Sequence, residues 1–371
     1  MCPPDVAALD ISAPIANDRA TPPILDCPVP DLPRITLALG IGTAGGLAFH
    51  LMHLPLPWML GALFTTMAAA VARAPVVAPA RLRPAVVAVI GVLLGSRFTP
   101  DVLGQMGAWV GTLAILMGYV VAVALTIVPF YRHFGKLDWT TAYFAGMPGG
   151  LSEMIEMGEA AGGKAAPIIL AHSLRVALTI AVIAFWFRIV QGLQVGLPTV
   201  SAPIALFWAD AALLLACAIG GSWLGVRLRL TAPTLLGPML LSAGLHLSGL
   251  TESTPPTLLV NVAQVILGTV LGCRFHEIDR ASFLRAGILS TAATLLTLLL
   301  ALVAGQMMRA LTGVEVDQAL LALAPGGLTE MGLIAIAIHA DVAFVALHHV
   351  VRILFILMVA PFVFRVAAGR R

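Results

Sequence analysis

The chain has 371 residues, of which 60% are hydrophobic and only 11% charged, with a mean hydropathy of +0.99. Soluble domains carry about 25% charged residues, so this composition excludes a water-soluble globular protein and implies a polytopic membrane protein. A formal charge of +3 without a Lys/Arg-rich run speaks against direct nucleic-acid binding, and Cys2, Cys27, Cys217 and Cys273 form no C-x-x-C pair that would suggest a zinc site or a disulfide framework.

Residues 1–33 hold eight prolines, five aspartates and one basic residue, with no apolar run. Such a segment cannot bury enough surface to offset its ordering entropy and is predicted to be a disordered, Pro-rich cytoplasmic tail. It lacks a basic n-region beside an apolar h-region, so it is not a signal peptide and the first span must direct insertion. From Arg34 the apolar runs fall at about 35–52, 56–73, 85–97, 107–130, 138–161 and 166–187, and again at about 205–225, 233–248, 258–273, 287–308, 317–338 and 343–364. This divides the chain into a first membrane repeat (34–190), a linker (191–204), a second repeat (205–366) and a basic C-terminal tail (367–371). A crossing needs ~20 residues at 1.5 Å rise, and 85–97 and 258–273 are short for it.

The two halves are copies. Ala145-Gly146-Met147-Pro148-Gly149-Gly150-Leu151-Ser152-Glu153-Met154 returns as Leu323-Ala324-Pro325-Gly326-Gly327-Leu328-Thr329-Glu330-Met331, 177 residues on. At the same offset His172 falls on His349, Arg175 on Arg352, Gly91 on Gly268, Gly95 on Gly272, and Arg97-Phe98 on Arg274-Phe275. Gly-Gly after a Pro breaks a helix and frees backbone polar groups, so each such segment is either a broken through-helix or a re-entrant hairpin. Charge distribution favours the second. With five spans per repeat and the N-terminus inside, 16 of the 21 Lys and Arg are cytoplasmic, only Arg97, Arg188 and Arg309 face outward, and Arg175 and Arg352 lie within the membrane. An odd number of spans inverts the second copy relative to the first. The predicted fold is therefore all-α: two inverted repeats of about five transmembrane helices, each with a glycine-tipped re-entrant or broken helix, in the cell (inner) membrane with both termini cytoplasmic. Inverted repeats with broken segments in matching positions point to a secondary transporter with a midplane site.

The candidate solute- or ion-binding residues follow from those breaks. Pro148, Gly149 and Gly150, like Pro325, Gly326 and Gly327, start a new half-helix whose free N–H groups and positive dipole end favour an anion. Ser152 and Thr329 stand close to those ends, as caps or as ligands. Glu153 and Glu330 are carboxylates near the bilayer centre and must be protonated or paired, either of which suits a site coupled to H⁺ or a cation. His172 with Arg175, and His349 with Arg352, share a helical face that points into the protein. Each arginine either pairs with a glutamate or clamps a substrate carboxylate, and each histidine is first of all a polar group satisfied between helices. His339 reads as an interfacial or packing residue. Gly42, Gly45 and Gly46, with Gly220 and Gly221, permit close helix packing.

These repeated motifs, with the His172-Ser-Leu-Arg175 and His349-Val-Val-Arg352 that follow them, resemble the AbrB duplication family of membrane proteins over about 35–366. Members are labelled AbrB-family transcriptional regulators or ammonia monooxygenases, and the resemblance implies membrane location more firmly than either activity. Five spans plus a glycine-tipped loop, duplicated in inversion, also look like citrate- and glutamate-type symporters, an analogy of architecture that does not fix substrate.

A secondary transporter of a small, organic, anionic solute is the function expected, with the solute and the lipid bilayer as partners, a homodimer as a further one, no cofactor and no bound metal. The alternative is a membrane sensor that affects gene expression indirectly. An enzyme of the copper monooxygenase type would need a compact His-rich ligand set, which one histidine per repeat does not supply.

Overall fold

The structure is a computed structural model, and it describes residues 31–98, 104, 107, 109–193, 208–276 and 280–368. Residues 1–30 of the predicted tail, most of the linker and the last three residues lie outside these, while Leu32 and Pro33, at the end of the predicted tail, are already helical. Among the described residues there are fourteen α-helices and no strand.

They fall into two runs of seven with matching bounds. The first is α1 (Leu32–Leu51), α2 (Pro57–Val71), α3 (Arg83–Gly95), α4 (Trp109–His133), α5 (Trp139–Gly146), α6 (Leu151–Ala160) and α7 (Ala165–Phe185). The second is α8 (Trp208–Arg227), α9 (Pro233–Leu247), α10 (Thr257–Cys273), α11 (Arg280–Thr312), α12 (Val316–Leu323), α13 (Leu328–Ala337) and α14 (Val342–Ala368). Pro57 and Pro233 open α2 and α9 at the first turn, where a missing N–H costs nothing and φ is already helical.

Six helices are long and apolar enough to cross a membrane: α1, α4, α7, α8, α11 and α14. By helix composition this is a multi-pass membrane protein. The runs expected as further crossings are shorter helices of 15, 13, 15 and 17 residues, α2, α3, α9 and α10. Their packing explains how they tolerate that length. Backbone that does not reach across hydrocarbon must be covered by protein, and each copy's third helix is laid against the other copy's second. A Cβ on Gly91 or Gly95 of α3 would collide with the carbonyl oxygens of Leu235 or Met239 in α9, and one on Gly268 or Gly272 of α10 with those of Met59 or Leu63 in α2. Gly45 meets Gly61, and Gly221 meets Gly237, in the same way, so α1 crosses α2 and α8 crosses α9 at backbone contact. Gly220, grouped with these from sequence, has only the Leu241 side chain at 3.8 Å.

Helices α1–α3 and α8–α10 thus form one interlocked six-helix frame. The other eight helices form a second set, in which α4 packs on α11, α11 on α7, and α4 on α14. Its core carries Tyr119, Tyr131, Tyr143, Phe144, Met154, Leu320 and Leu323. The two sets meet where α3 touches α13 and α2 touches α7.

The glycine-marked break is a hairpin. Asp138 caps α5, its carboxylate accepting from the Thr141 N–H at 3.0 Å, a bond that holds this acid below the usual carboxylate range. After the tip, α6 runs back, and Gly162 takes a left-handed φ of +82° so that Gly163 N–H can reach the Gly158 carbonyl. Lys164 N–H then donates to Thr141 Oγ1 at 2.9 Å, placing the end of the segment beside its beginning. In the second copy the left-handed position is His339, at φ 59°, so this histidine serves the turn. Asp341, which stands where the first copy has Lys164, caps α14 through the N–H groups of Ala343 and Phe344.

Candidate functional site

The repeated motif is explained position by position at the tips. Gly150 and Gly327 are the N-caps of α6 and α13, with φ of −68° and −78°, so their glycine identity is not conformational. It is a matter of space: a Cβ on either would strike the carboxylate of Glu153 or Glu330, which folds back from the third helical position over its own N-cap. That is where a capping-box acid sits, at the positive end of the helix. Gly149 and Gly326 are filled from beneath in the same way, by Met154 and Met331. Pro-Gly-Gly-x-Ser/Thr-Glu-Met is thus a self-contained tip, built twice.

The His/Arg faces do something sequence periodicity did not reveal. A helix broken at Gly146 or Leu323 leaves its last carbonyls without intrahelical partners. Arg175 donates from Nη1 to the Met147 carbonyl at 3.1 Å, and from Nη2 to His172 Nδ1 at 2.7 Å. Because guanidinium can only donate, Nδ1 is the acceptor and Nε2 carries the hydrogen, which goes to the Phe144 carbonyl at 2.8 Å. The second copy repeats this with more bonds. Arg352 Nη1 donates to Ala324 at 2.6 Å and Leu323 at 3.3 Å, and Nη2 to Gly326 at 3.2 Å and His349 Nδ1 at 3.2 Å, while His349 Nε2 donates to Leu321 at 3.0 Å. The cations therefore hold the C-terminal ends of the broken helices, where the dipole also favours them. Among the described residues neither arginine pairs with Glu153 or Glu330. Both guanidiniums are buried, and among the described residues each keeps its Nε–H without a partner.

All fourteen predicted site residues line, or stand at the edge of, one cavity of about 350 Å³ between the two helix sets. The first tip, the second tip, both histidines and both arginines face it together with the start of α9 and the apolar side chains Val87, Val176, Leu267 and Ile353. Two further cations border it that were not singled out from sequence, Arg83 and Arg274. Arg274 lies within electrostatic reach of Arg83 and Glu330. Its repeat partner Arg97 was visible in the duplication, but nothing in the sequence said which member of that pair would reach a cavity. Tyr119 was also missed. Its hydroxyl is buried without a partner among the described residues and feels both Arg175 and Arg352, while its counterpart in the second copy is Leu296, so the repeat carries no signal for it.

The two equivalent hairpin helices are not treated equally. In α13 eight of ten residues are buried, against only Met154 and Gly158 in α6. Gly332 of α13 sits so close to Leu94 of α3 that a Cβ would lie 2.6 Å from the leucine methyl. The repeat equivalent of Leu94, Leu271 in α10, instead lines the cavity. Leu94 is thus packed against α13, while its equivalent Leu271 faces the cavity.

A charged cavity between two broken helices, inside a duplicated bundle whose long helices are apolar enough for a bilayer, defines a class: a multi-pass membrane protein with a polar site at the junction of its two repeats. Residues 58–368 match the family model described as "Transition state regulatory protein AbrB". The chain belongs to the AbrB family. It is 27% identical over 344 residues to the Escherichia coli (strain K12) protein named "Putative regulator AbrB", covering 89% of this chain and 94% of that one. It is also 26% identical over 355 residues to "Uncharacterized protein YhjN" of Bacillus subtilis (strain 168), covering 87% of this chain and 90% of the relative.

Proposed function

We propose that this protein is a secondary transporter of a small organic anion, coupled to a proton or a cation, with the cavity between the hairpins as its solute site. The observation that carries the proposal is the unequal packing of two equivalent helices: α13 is buried and packed on Leu94 of α3, while α6 is largely unburied and Leu271 of α10, the equivalent of Leu94, lines the cavity. A fixed binding site has no use for two packings of one repeated helix. A site that opens alternately to two sides has both, and exchanges their roles.

In this reading the repeats are inverted, each with five crossings, and the hairpins enter the bilayer from opposite faces with both termini cytoplasmic. The return of Lys164 to Thr141 supports re-entry for the first hairpin. Cysteine labelling checks it: in a Cys-free background, Lys164→Cys should react with an impermeant thiol reagent from the cytoplasmic side and Arg188→Cys from the other. Reaction of Lys164→Cys from outside overturns the re-entrant topology. Glu153 and Glu330, folded over the tips, are the groups suited to exchange a proton or hold a cation as the anion comes and goes.

Transport itself is tested by reconstitution. Proteoliposomes should take up one member of a panel of organic acids saturably, and a protonophore or removal of the driving cation should abolish accumulation. The regulator names carried by the family and by the Escherichia coli relative favour a second reading, a sensor that binds the same solute without moving it. Binding without uptake selects that reading and rejects transport.

A further inference from the structure

We propose that the solute is a small dicarboxylate, with one acid group at each hairpin tip and its methylene chain along the apolar wall between them. The assignment rests on the reading of this cavity as a solute site. It follows from three features of the lining.

The first is charge. Four guanidiniums, Arg83, Arg175, Arg274 and Arg352, and two carboxylates, Glu153 and Glu330, face the cavity, so its charged side chains leave a net +2. A monoanion leaves half of that excess unbalanced in a space of low dielectric, and a cation adds to it. The second is duplication. The N-termini of two ten-residue half-helices, α6 and α13, line the same cavity, each with its own glutamate folded over the N-cap and each beside a buried guanidinium that, among the described residues, keeps one N–H unpartnered. These are two separate anion positions related by the repeat, not one deep one. The third is the apolar part of the lining. Val176 and Ile353, repeat equivalents one residue past the arginines, together with Val87 and Leu267, give a wall that suits CH₂ groups. The volume of about 350 Å³ is at the lower end for ligand pockets, which fits a short chain.

The test uses the full chain purified in detergent, with thermal unfolding as the readout, since a ligand that binds the folded form raises Tm with its concentration. Succinate and glutarate should raise Tm at concentrations where butyrate does not. Arg274→Gln, a side chain at the cavity border that anchors no hairpin tip, should shift the concentration needed by about tenfold or more, with Arg274→Lys restoring it. Equal stabilisation by butyrate overturns the two-acid assignment. So does equal stabilisation by sulfate, a compact dianion with no chain to join two acid groups, and so does the absence of any effect of the dicarboxylates. The outcome separates from that of the transport proposal: dicarboxylate binding without uptake leaves the ligand class standing and rejects transport. Uptake of another solute, with Tm indifferent to dicarboxylates, does the reverse.

Discussion

Replacing Arg352 by Gln is expected to remove most of the folded protein. The guanidinium donates to the carbonyls of Leu323, Ala324 and Gly326 and to His349, all in a buried site. Gln offers at most two donors on a shorter stem. Each buried carbonyl left bare costs about 1–3 kcal/mol, and His349 loses the group that fixes its tautomer, so several kcal/mol are at stake against a total of about 5–15. Monodisperse yield in detergent and Tm measure it. Arg175→Gln should be milder, since Arg175 holds one carbonyl, that of Met147, and His172. Lys at position 352 should fall between, keeping the charge without the planar fork. If Arg352→Gln folds with normal yield and Tm and loses only solute affinity, the guanidinium is a ligand group and not a tip anchor.

A disulfide between Leu94→Cys and Gly332→Cys, in a background without the native cysteines, should form readily in the state described and abolish uptake until reduced. These positions touch across α3 and α13, and the shorter cysteine at 94 frees room for the new Cβ at 332. The equivalent pair, Ile155→Cys with Leu271→Cys, joins α6 to α10, both of which contribute residues to the cavity lining. It should form only when the first pair is open, so the two cross-links exclude one another. Normal uptake with the 94–332 link complete would mean that this contact is not a gate. The second closure differs in chemistry from the first. Where α13 has the buried Leu333 and Ile336, α6 carries Glu156 and Glu159, so burying α6 in the same way would cover two carboxylates and should be sensitive to salt.

Much of this architecture was legible in the chain because duplication makes a sequence its own comparison. The runs read at about 138–161 and 317–338 became the hairpins α5–α6 and α12–α13, and the matched glycines at 91/268 and 95/272 turned out to be contacts. Periodicity placed His172 and Arg175 on one inward face, but a face does not say what it meets. Whether a buried arginine finds a carboxylate or a carbonyl depends on where a neighbouring helix ends, and here α5 and α12 end beneath it. The cavity border was hidden for a related reason. Arg83 and Arg274 sit beside helix ends, where arginine ordinarily reports on membrane orientation, and only the exchange of third helices between copies brings them to one opening. The length needed for a crossing was the other shortfall. α2, α3, α9 and α10 are apolar but short, because they are clad by one another as well as by lipid.

That exchange of third helices also bears on how the chain can be made and inherited. Backbone rests on backbone at Gly91, Gly95, Gly268 and Gly272, each against a helix of the other half. A half alone would turn these bare stretches of main chain toward hydrocarbon. Neither half is therefore a folding unit, and during synthesis α2 and α3 must wait for α9 and α10 before they are covered. A single-copy ancestor could have built the same frame only by pairing with a second chain, so the fusion made permanent a partnership the structure already required.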